Sequence, residues 1–283
     1  MGAGTISKAA DILEEMIRDK NCKVFLGLAG AMVPGGMKKI IVDMLREHWI
    51  DVFLTTGANL THDLIEAIGF HHYQGTAEVS DIELNNSGIN RIYDSYLHND
   101  VYPPLGDFLN SITNNLPRKM TIKEFWFELG RVVKDKESIL RTCADEKIPV
   151  FCPAMENCGI ASIIHSTLKK DGIFVDACAD LADLFKIAES AKKKGSFVIG
   201  GGVPKDQIMQ ALQFTKGGAS YAIQITMDRP EPGGSSGAPP IEAISWGKMR
   251  KDVKCVNVIS DSTIALPIIV AAVKERLSNE RNR

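Results

Sequence analysis

The chain has 283 residues, 45% hydrophobic and 24% charged, an ordinary balance for a folded protein with a substantial core. Its 33 basic and 35 acidic residues leave a formal net charge of -2, with no broad basic field to hold a nucleic acid backbone. No apolar run reaches the roughly 18 residues of a membrane span, and the N-terminus is a charged amphipathic pattern with no signal peptide. A cytoplasmic protein is expected.

Short apolar runs alternate with helix-period segments along the chain. The predicted strands and helices are, in order, strand 22–27, helix 36–48, strand 50–56 and helix 59–68. After an excursion come helices 121–133 and 136–146, strand 148–152, helix 158–169, strand 173–176 and helix 179–194. Strand 196–200, helix 204–214, strand 219–225, strand 255–260 and helix 262–277 complete the series. The strand runs lack clean polar alternation, as do strands covered on both faces of a parallel sheet. The pattern predicts an α/β fold, a doubly wound, mostly parallel Rossmann-like sheet with helices on both faces. Residues 1–283 read as one unit. Segment 77–118, rich in Asn, Asp and Pro, breaks the rhythm and reads as an excursion between two halves of the fold.

Three strands run into glycine or small-residue turns: FLGLAGAMVPGG at 25–36, TTGANLTHD at 55–63 and GGGVPK at 200–205. Glycine after a strand lets the backbone approach a phosphate, and the next helix offers its first N–H groups. The G-x-G-x-x-G spacing is absent, so each turn alone is equally a tight strand-to-helix connection. Three together favour a nucleotide or dinucleotide site. Asp261 follows the last strand, where a carboxylate accepts from ribose hydroxyls or caps the helix beginning near Ser262.

The stretch EAISWGKMR, 242–250, sets Trp246 and Lys248 two residues apart across a glycine, with Glu242 six residues before the lysine. A desolvated lysine is a nucleophile toward imines and carbonyls. The bland alternative is a surface lysine after a buried tryptophan. Ser245 to Lys248 also matches S-x-x-K, but no K-T-G follows. The Pro/Gly/Ser-rich stretch 229–240 just before it reads as an active-site loop. The six histidines show no metal-ligand spacing, and no metal is expected. The six cysteines form no C-x-x-C pair and read as small buried hydrophobes in a reducing compartment.

Taken together these motifs resemble the deoxyhypusine synthase family, in a non-eukaryotic type with a short N-terminus. SGAPPIEAISWGKMR (236–250) and VISDS (258–262) carry the resemblance most specifically, supported by NSGINRIYD and the three turns in family order. The resemblance implies NAD as cofactor and spermidine or a related polyamine as donor. A 4-aminobutyl group would pass as an imine to Lys248 and then to a lysine of the hypusine-bearing translation initiation factor. It also implies a homotetramer with active sites at a subunit interface.

Carried over residue by residue, the resemblance makes Lys248 the imine-forming lysine, Trp246 the wall of the amine site and Glu242 an ammonium-binding carboxylate. Thr56, Gly57, Gly201, Met227, Asp228, Asp261 and Ser262 match NAD contacts. With Gly30, Ala31, Ala58, Asn157 and Gly202 they form the expected cofactor set. Gly234, Ser235, His62 and Asp206 join the expected substrate set. Several depart from the eukaryotic pattern: Ala31 replaces Asn, His62 replaces Glu, Asn157, Ser162 and Ser235 replace Asp, and Asp206 replaces His. A homospermidine synthase-like or agmatine-using transferase with a small-amine acceptor is the alternative, and a catalytically silent NAD-binding relative a third reading.

Overall fold

The computed structural model of the chain describes residues 2–281. Helix α1 (Gly2–Arg18) leads into strand β1 (Cys22–Leu28), helix α2 (Lys38–Arg46), strand β2 (Val52–Thr55) and helix α3 (Gly57–Ala67). Then come β3 (Tyr73–Gln74) and, within the excursion, α4 (Asp81–Asn86), β4 (Ile89–Ile92), β5 (Ser95–His98) and α5 (Tyr102–Thr113). After it come β6 (Lys119–Thr121), α6 (Ile122–Val132), α7 (Ile139–Asp145), β7 (Val150–Phe151), α8 (Gly159–Lys170), β8 (Phe174–Asp176) and α9 (Ala179–Ser190). The last part is β9 (Lys193–Ile199), α10 (Gly202–Gln213), β10 (Ala219–Thr226), a 3-10 turn at Pro240–Ile244, β11 (Met249–Ile259) and α11 (Ser262–Arg281).

Six strands form one parallel sheet in the order β11-β10-β9-β1-β2-β7. The chain runs outward from β1 through β2 to β7, then returns to β9 on the other side of β1. That reversal is the switch point of a doubly wound sheet, where ligands settle outside the carboxyl ends of the strands. The apolar runs lack polar alternation because both faces are covered. Val24, Leu26 and Leu28 of β1 face a core built with α1, α2, α3 and α11, whereas Phe25 faces a second core with Leu184 of α9 and Ile208 and Leu212 of α10. Each such fully buried aliphatic side chain contributes about 1.5–3 kcal/mol relative to exposure.

Three predicted elements are corrected. Run 173–176 does not join the main sheet. It pairs with Lys119–Thr121 as a separate two-stranded ribbon, and its Phe174 is 59% exposed, which a strand covered on both faces would not allow. Helix 179–194 stops at Ser190, because Lys193 and Lys194 begin β9 opposite Cys22 and Lys23. The lysines disguise this strand start, yet Lys194 is buried and donates to the Thr215 hydroxyl (3.0 Å) and the Lys216 carbonyl (2.6 Å). Finally, β11 starts at Met249 rather than 255. It is the sheet edge, so its charged run reaches water: Arg250 pairs with Asp252 (2.8 Å) and Lys254 with Glu15 (2.5 Å). The excursion holds α4, α5 and two strands of a three-stranded antiparallel sheet, β3-β5-β4, whose β3 lies just before it. Among the described residues no helix is long and apolar enough to cross a membrane.

Candidate active site

At the switch point, the ends of β1 and β9 are tied by the Ala29 N–H donating to the Ile199 carbonyl (2.9 Å). Beyond them opens a cavity of about 570 Å³. Gly30, Ala31, Gly201, Gly202, Met227, Asp228, Asp261 and Ser262 all line it, joined by Tyr93, Asp94 and Ser95 from the excursion. Gly200 and Gly202 sit at φ +76° and +56°, a left-handed backbone that glycine adopts without strain. They turn the chain sharply from β9 into α10 and bare its first N–H groups. Asp261 serves its own helix through Oδ1, which accepts from the Thr263 N–H and hydroxyl at 2.6 Å each, while the residue still lines the cavity. Both local readings of Asp261 therefore fit its position.

Four expected cofactor residues, Thr56, Gly57, Ala58 and Asn157, do not line this cavity. They form a second group past the ends of β2 and β7. A Cβ on Gly57 would lie 2.5 Å from the Cβ of Cys158, so the start of α3 packs directly on the 153–158 loop. Asn59 bridges this group to the first turn: its Nδ2 donates to the Thr55 and Thr56 hydroxyls (3.4 and 3.3 Å) and its Oδ1 accepts from the Val33 N–H (3.4 Å).

A second cavity, of about 220 Å³, holds Lys248, Trp246, Glu242, Asp206, Ser235 and Gly234. Gly247 at φ +71° reverses the chain between the tryptophan and the lysine. Both side chains then lie on one side, with Lys248 Nζ 5.0 Å from the Trp246 ring centroid. Lys248 is half-buried and Trp246 is 60% exposed. Loop 227–239 is the partition between the cavities: Ser236 lines the larger and Ser235 the smaller. The partition is thin. A Cβ on Gly201 would stand 2.4 Å from the Ser236 Cα.

Lys205 is the residue that sequence reasoning missed. Within GGGVPK it looks like a solvated helix residue, yet it is 6% exposed and lines the Lys248 cavity. Its Nζ donates to Gln224 Oε1 (2.9 Å) and to the Ser235 and Ala238 carbonyls (2.6 Å each). Gln224 Nε2 in turn donates to the Gly200 and Ser236 carbonyls (3.1 and 2.7 Å). This buried node pins the partition to the glycine turn. Burial pulls the Lys205 pKa down to about 8, Lys248 adds to the fall, and Asp206 and Glu242 oppose it. Lys205→Met strands three acceptors and should cost about 2–4 kcal/mol. Amide exchange should rise in 229–240 before it rises in the sheet; equal protection in both proteins would contradict the pin.

His62 lines neither cavity. Its Nδ1 meets His72 Nε2 at 2.9 Å, His72 Nδ1 meets Glu66 at 2.8 Å, and Glu66 pairs with Lys38 at 2.6 Å. Burial first, then His72, pulls the His62 pKa down from 6.5 to about 4, with Glu66 opposing. The adjacent Asp63 behaves oppositely: burial pushes it up from 3.8 to about 6, against the Leu140 and Ile139 amides and the Ser138 hydroxyl. A depressed histidine contributes stability above its unfolded pKa that is lost on acidification. A raised carboxyl contributes stability below its unfolded pKa that is lost as pH rises through its folded one. Between pH 4 and 6 these two slopes oppose each other. His62→Gln should therefore gain thermal stability relative to wild type as pH falls through that window. Parallel melting curves against pH for the two proteins would refute the assignment.

A family model described as deoxyhypusine synthase matches residues 1–273. The chain belongs to the deoxyhypusine synthase family. It is 46% identical over 280 residues to the protein named probable deoxyhypusine synthase 1 of Methanosarcina acetivorans, covering 98% of this chain and 88% of that one. It is 36% identical over 283 residues to a deoxyhypusine synthase-like protein of Chlorobaculum tepidum, covering 94% of this chain and 81% of that one. The fold is similar to that of a crystal structure from Entamoeba histolytica assigned to deoxyhypusine synthase, with TM-score 0.66, 16% identity, and coverage of 97% of this chain and 88% of that chain. The deoxyhypusine synthase family is one of transferases, so the chain is an enzyme by kinship.

Proposed function

We propose that the chain is an NAD-dependent deoxyhypusine synthase, transferring the 4-aminobutyl group of spermidine through an imine on Lys248 to a lysine of the hypusine-bearing translation initiation factor. The observation that carries this reading is the adjacency of two cavities across one loop. One is lined by glycine turns at the switch point, the other by Lys248, Trp246 and Glu242. The residues of the larger cavity fit a dinucleotide: bare N–H groups at the start of α10 suit a diphosphate, and Asp261 and Asp228 suit ribose hydroxyls. When bound there, NAD supplies a hydride acceptor and later a hydride donor.

The chain's own residues do the rest. Glu242 and Asp206 hold ammonium groups of the polyamine, and the Trp246 face packs along its methylenes. Gly234 and Ser235 set the cavity wall. Lys248, as the free amine, attacks the oxidised carbon and displaces the diamine fragment, leaving the aminobutyl group on Nζ as an imine. The acceptor lysine displaces Lys248 in the same manner. Thr56, Gly57, Ala58 and Asn157 complete the cofactor site from the second group, and His62 ties the middle of α3 to its last turn and to the segment after it through the His72–Glu66 chain.

An open approach supports a protein acceptor, since Trp246, which lines the Lys248 cavity, is 60% exposed. A different exposed apolar pair, on α11, supports a homotetramer with interfacial active sites. Ile264 and Ile268, one turn apart on α11 just after Asp261, are 60% and 50% exposed, which a second subunit would cover. One unit spanning 1–283 and a cytoplasmic location complete the reading; six free cysteines suit a reducing compartment.

The test is purified protein with NAD and radiolabelled spermidine, with and without the translation factor. Label on the factor is the expected result. Label on a free amine instead would establish the homospermidine-type alternative, and no transfer with NAD bound would indicate a silent relative.

A further inference from the structure

The β4–β5 hairpin turns through Tyr93 and Asp94, since Ile92 pairs with Ser95. Tyr93 lies at φ +55°, in the left-handed region where a Cβ is strained and glycine, asparagine or aspartate is the usual choice. Among the described residues four non-glycines have positive φ. His48 and Lys147 directly follow the C-caps of α2 and α7, where one left-handed residue commonly ends a helix. The other two, Tyr93 and Ala154, have no such reason. Tyr93 lines the larger cavity, and Ala154 lies in the 153–158 loop whose Cys158 packs on Gly57. The strain outside helix ends thus falls at the proposed cofactor site.

Folding does not ask for a tyrosine at position 93. The residue is 79% exposed, and among the described residues its ring meets no other ring and its hydroxyl has no hydrogen-bond partner. The backbone around it is held firmly instead. Arg91, paired with Asp81, donates to the Tyr93 carbonyl (3.2 Å), and the Gly75 N–H donates to the Asp94 carbonyl (2.7 Å). The Ser95 hydroxyl donates to the Pro34 carbonyl (3.0 Å), which latches the hairpin onto the first glycine turn. A strained backbone in a fixed frame, with the side chain left free at a cavity, points to a group kept for a ligand.

We propose that Tyr93 is a cofactor-binding residue, its ring stacking on a planar heteroaromatic base of the dinucleotide in the larger cavity. The inference rests on the reading of that cavity as a dinucleotide site. The rest of the lining shows why a base would need it. Glycines, small hydroxyl residues, carboxylates and the aliphatic side chains of Met32, Ile92 and Met227 make up the walls, and Tyr93 is the one aromatic side chain among the described lining residues. Stacking on an aromatic ring tolerates any base, because every base has a π-face. The rival occupant of an exposed tyrosine is a second copy of the chain, and the test separates the two.

The full chain is titrated calorimetrically with NAD, with ADP-ribose and with nicotinamide mononucleotide, and its mass in solution is read by light scattering. Tyr93→Gly should weaken NAD binding about tenfold, about 1.4 kcal/mol. It should also weaken whichever half of the dinucleotide carries the stacked base, which tells adenine from nicotinamide. Its melting temperature should equal or exceed that of wild type, because glycine is unstrained at this φ. Tyr93→Phe should stay within about twofold of wild type, because the ring and not the hydroxyl stacks. Unchanged NAD affinity in Tyr93→Gly, Tyr93→Phe as weak as Tyr93→Gly, or an altered assembly with unaltered affinity would overturn the proposal. A wild-type chain that binds no NAD would sink the dinucleotide reading itself, and the proposal with it.

Discussion

Lys248→Ala is expected to retain NAD affinity and to lose transfer activity by roughly a thousandfold or more, the scale on which removal of a covalent nucleophile is felt. Lys248 lines only the smaller cavity, and loop 227–239 lies between it and the glycine turns. Removing its side chain therefore leaves Gly30, Gly201, Gly202 and Asp261 in place. Lys248→Arg should fail nearly as badly, because a guanidinium stays protonated and forms no imine. Titration of NAD by fluorescence and assay of aminobutyl transfer read the two effects separately. Equal loss of both would mean that the substitution damages the fold rather than the chemistry.

The second large effect is on stability. Asp63→Ala should lower it by about 2–5 kcal/mol and the melting temperature by roughly 10 °C. Asp63 is fully buried, and its carboxylate accepts from the Ser138 hydroxyl (2.7 Å) and from the Ile139 and Leu140 N–H groups (2.9 and 3.0 Å) at the start of α7. Alanine leaves the Ile139 and Leu140 amides without their acceptor. The consequence reaches the site because α3 begins at Gly57, in the second cofactor turn, and Asp63 anchors that helix to α7. Asp63→Asn keeps some acceptor capacity and should cost less. A melting temperature within two or three degrees of wild type in Asp63→Ala would contradict this account.

Much of the architecture was legible because the signals were local. β1, β2 and β7 are dense apolar runs closed by glycine or small residues, β10 is a mostly apolar run, and the sequence expectation for each falls within a few residues of the strand. What was not legible depended on the third dimension. Whether 173–176 joins the main sheet depends on where α8 returns the chain, and nothing in IFVD encodes that. Lys193 and Lys194 look like a solvated helix end, because a buried lysine can be recognised only once its carbonyl and hydroxyl acceptors are placed. Lys205 was hidden for the same reason. Lys248, Trp246 and Glu242 were legible as one group because they lie within seven residues. His62 was not legible in its setting: its partner His72 lies ten residues on, and the histidine pair that the sequence displays, His71 and His72, is not the one that forms.

The most direct test of the central claim is to trap the reaction part-way. The protein is incubated with NAD and spermidine, reduced with borohydride and digested, and the adduct is located by mass spectrometry. The account predicts a reduced aminobutyl group on Lys248, dependent on NAD. An adduct on Lys205 or another lysine, or none while spermidine is consumed, would contradict it.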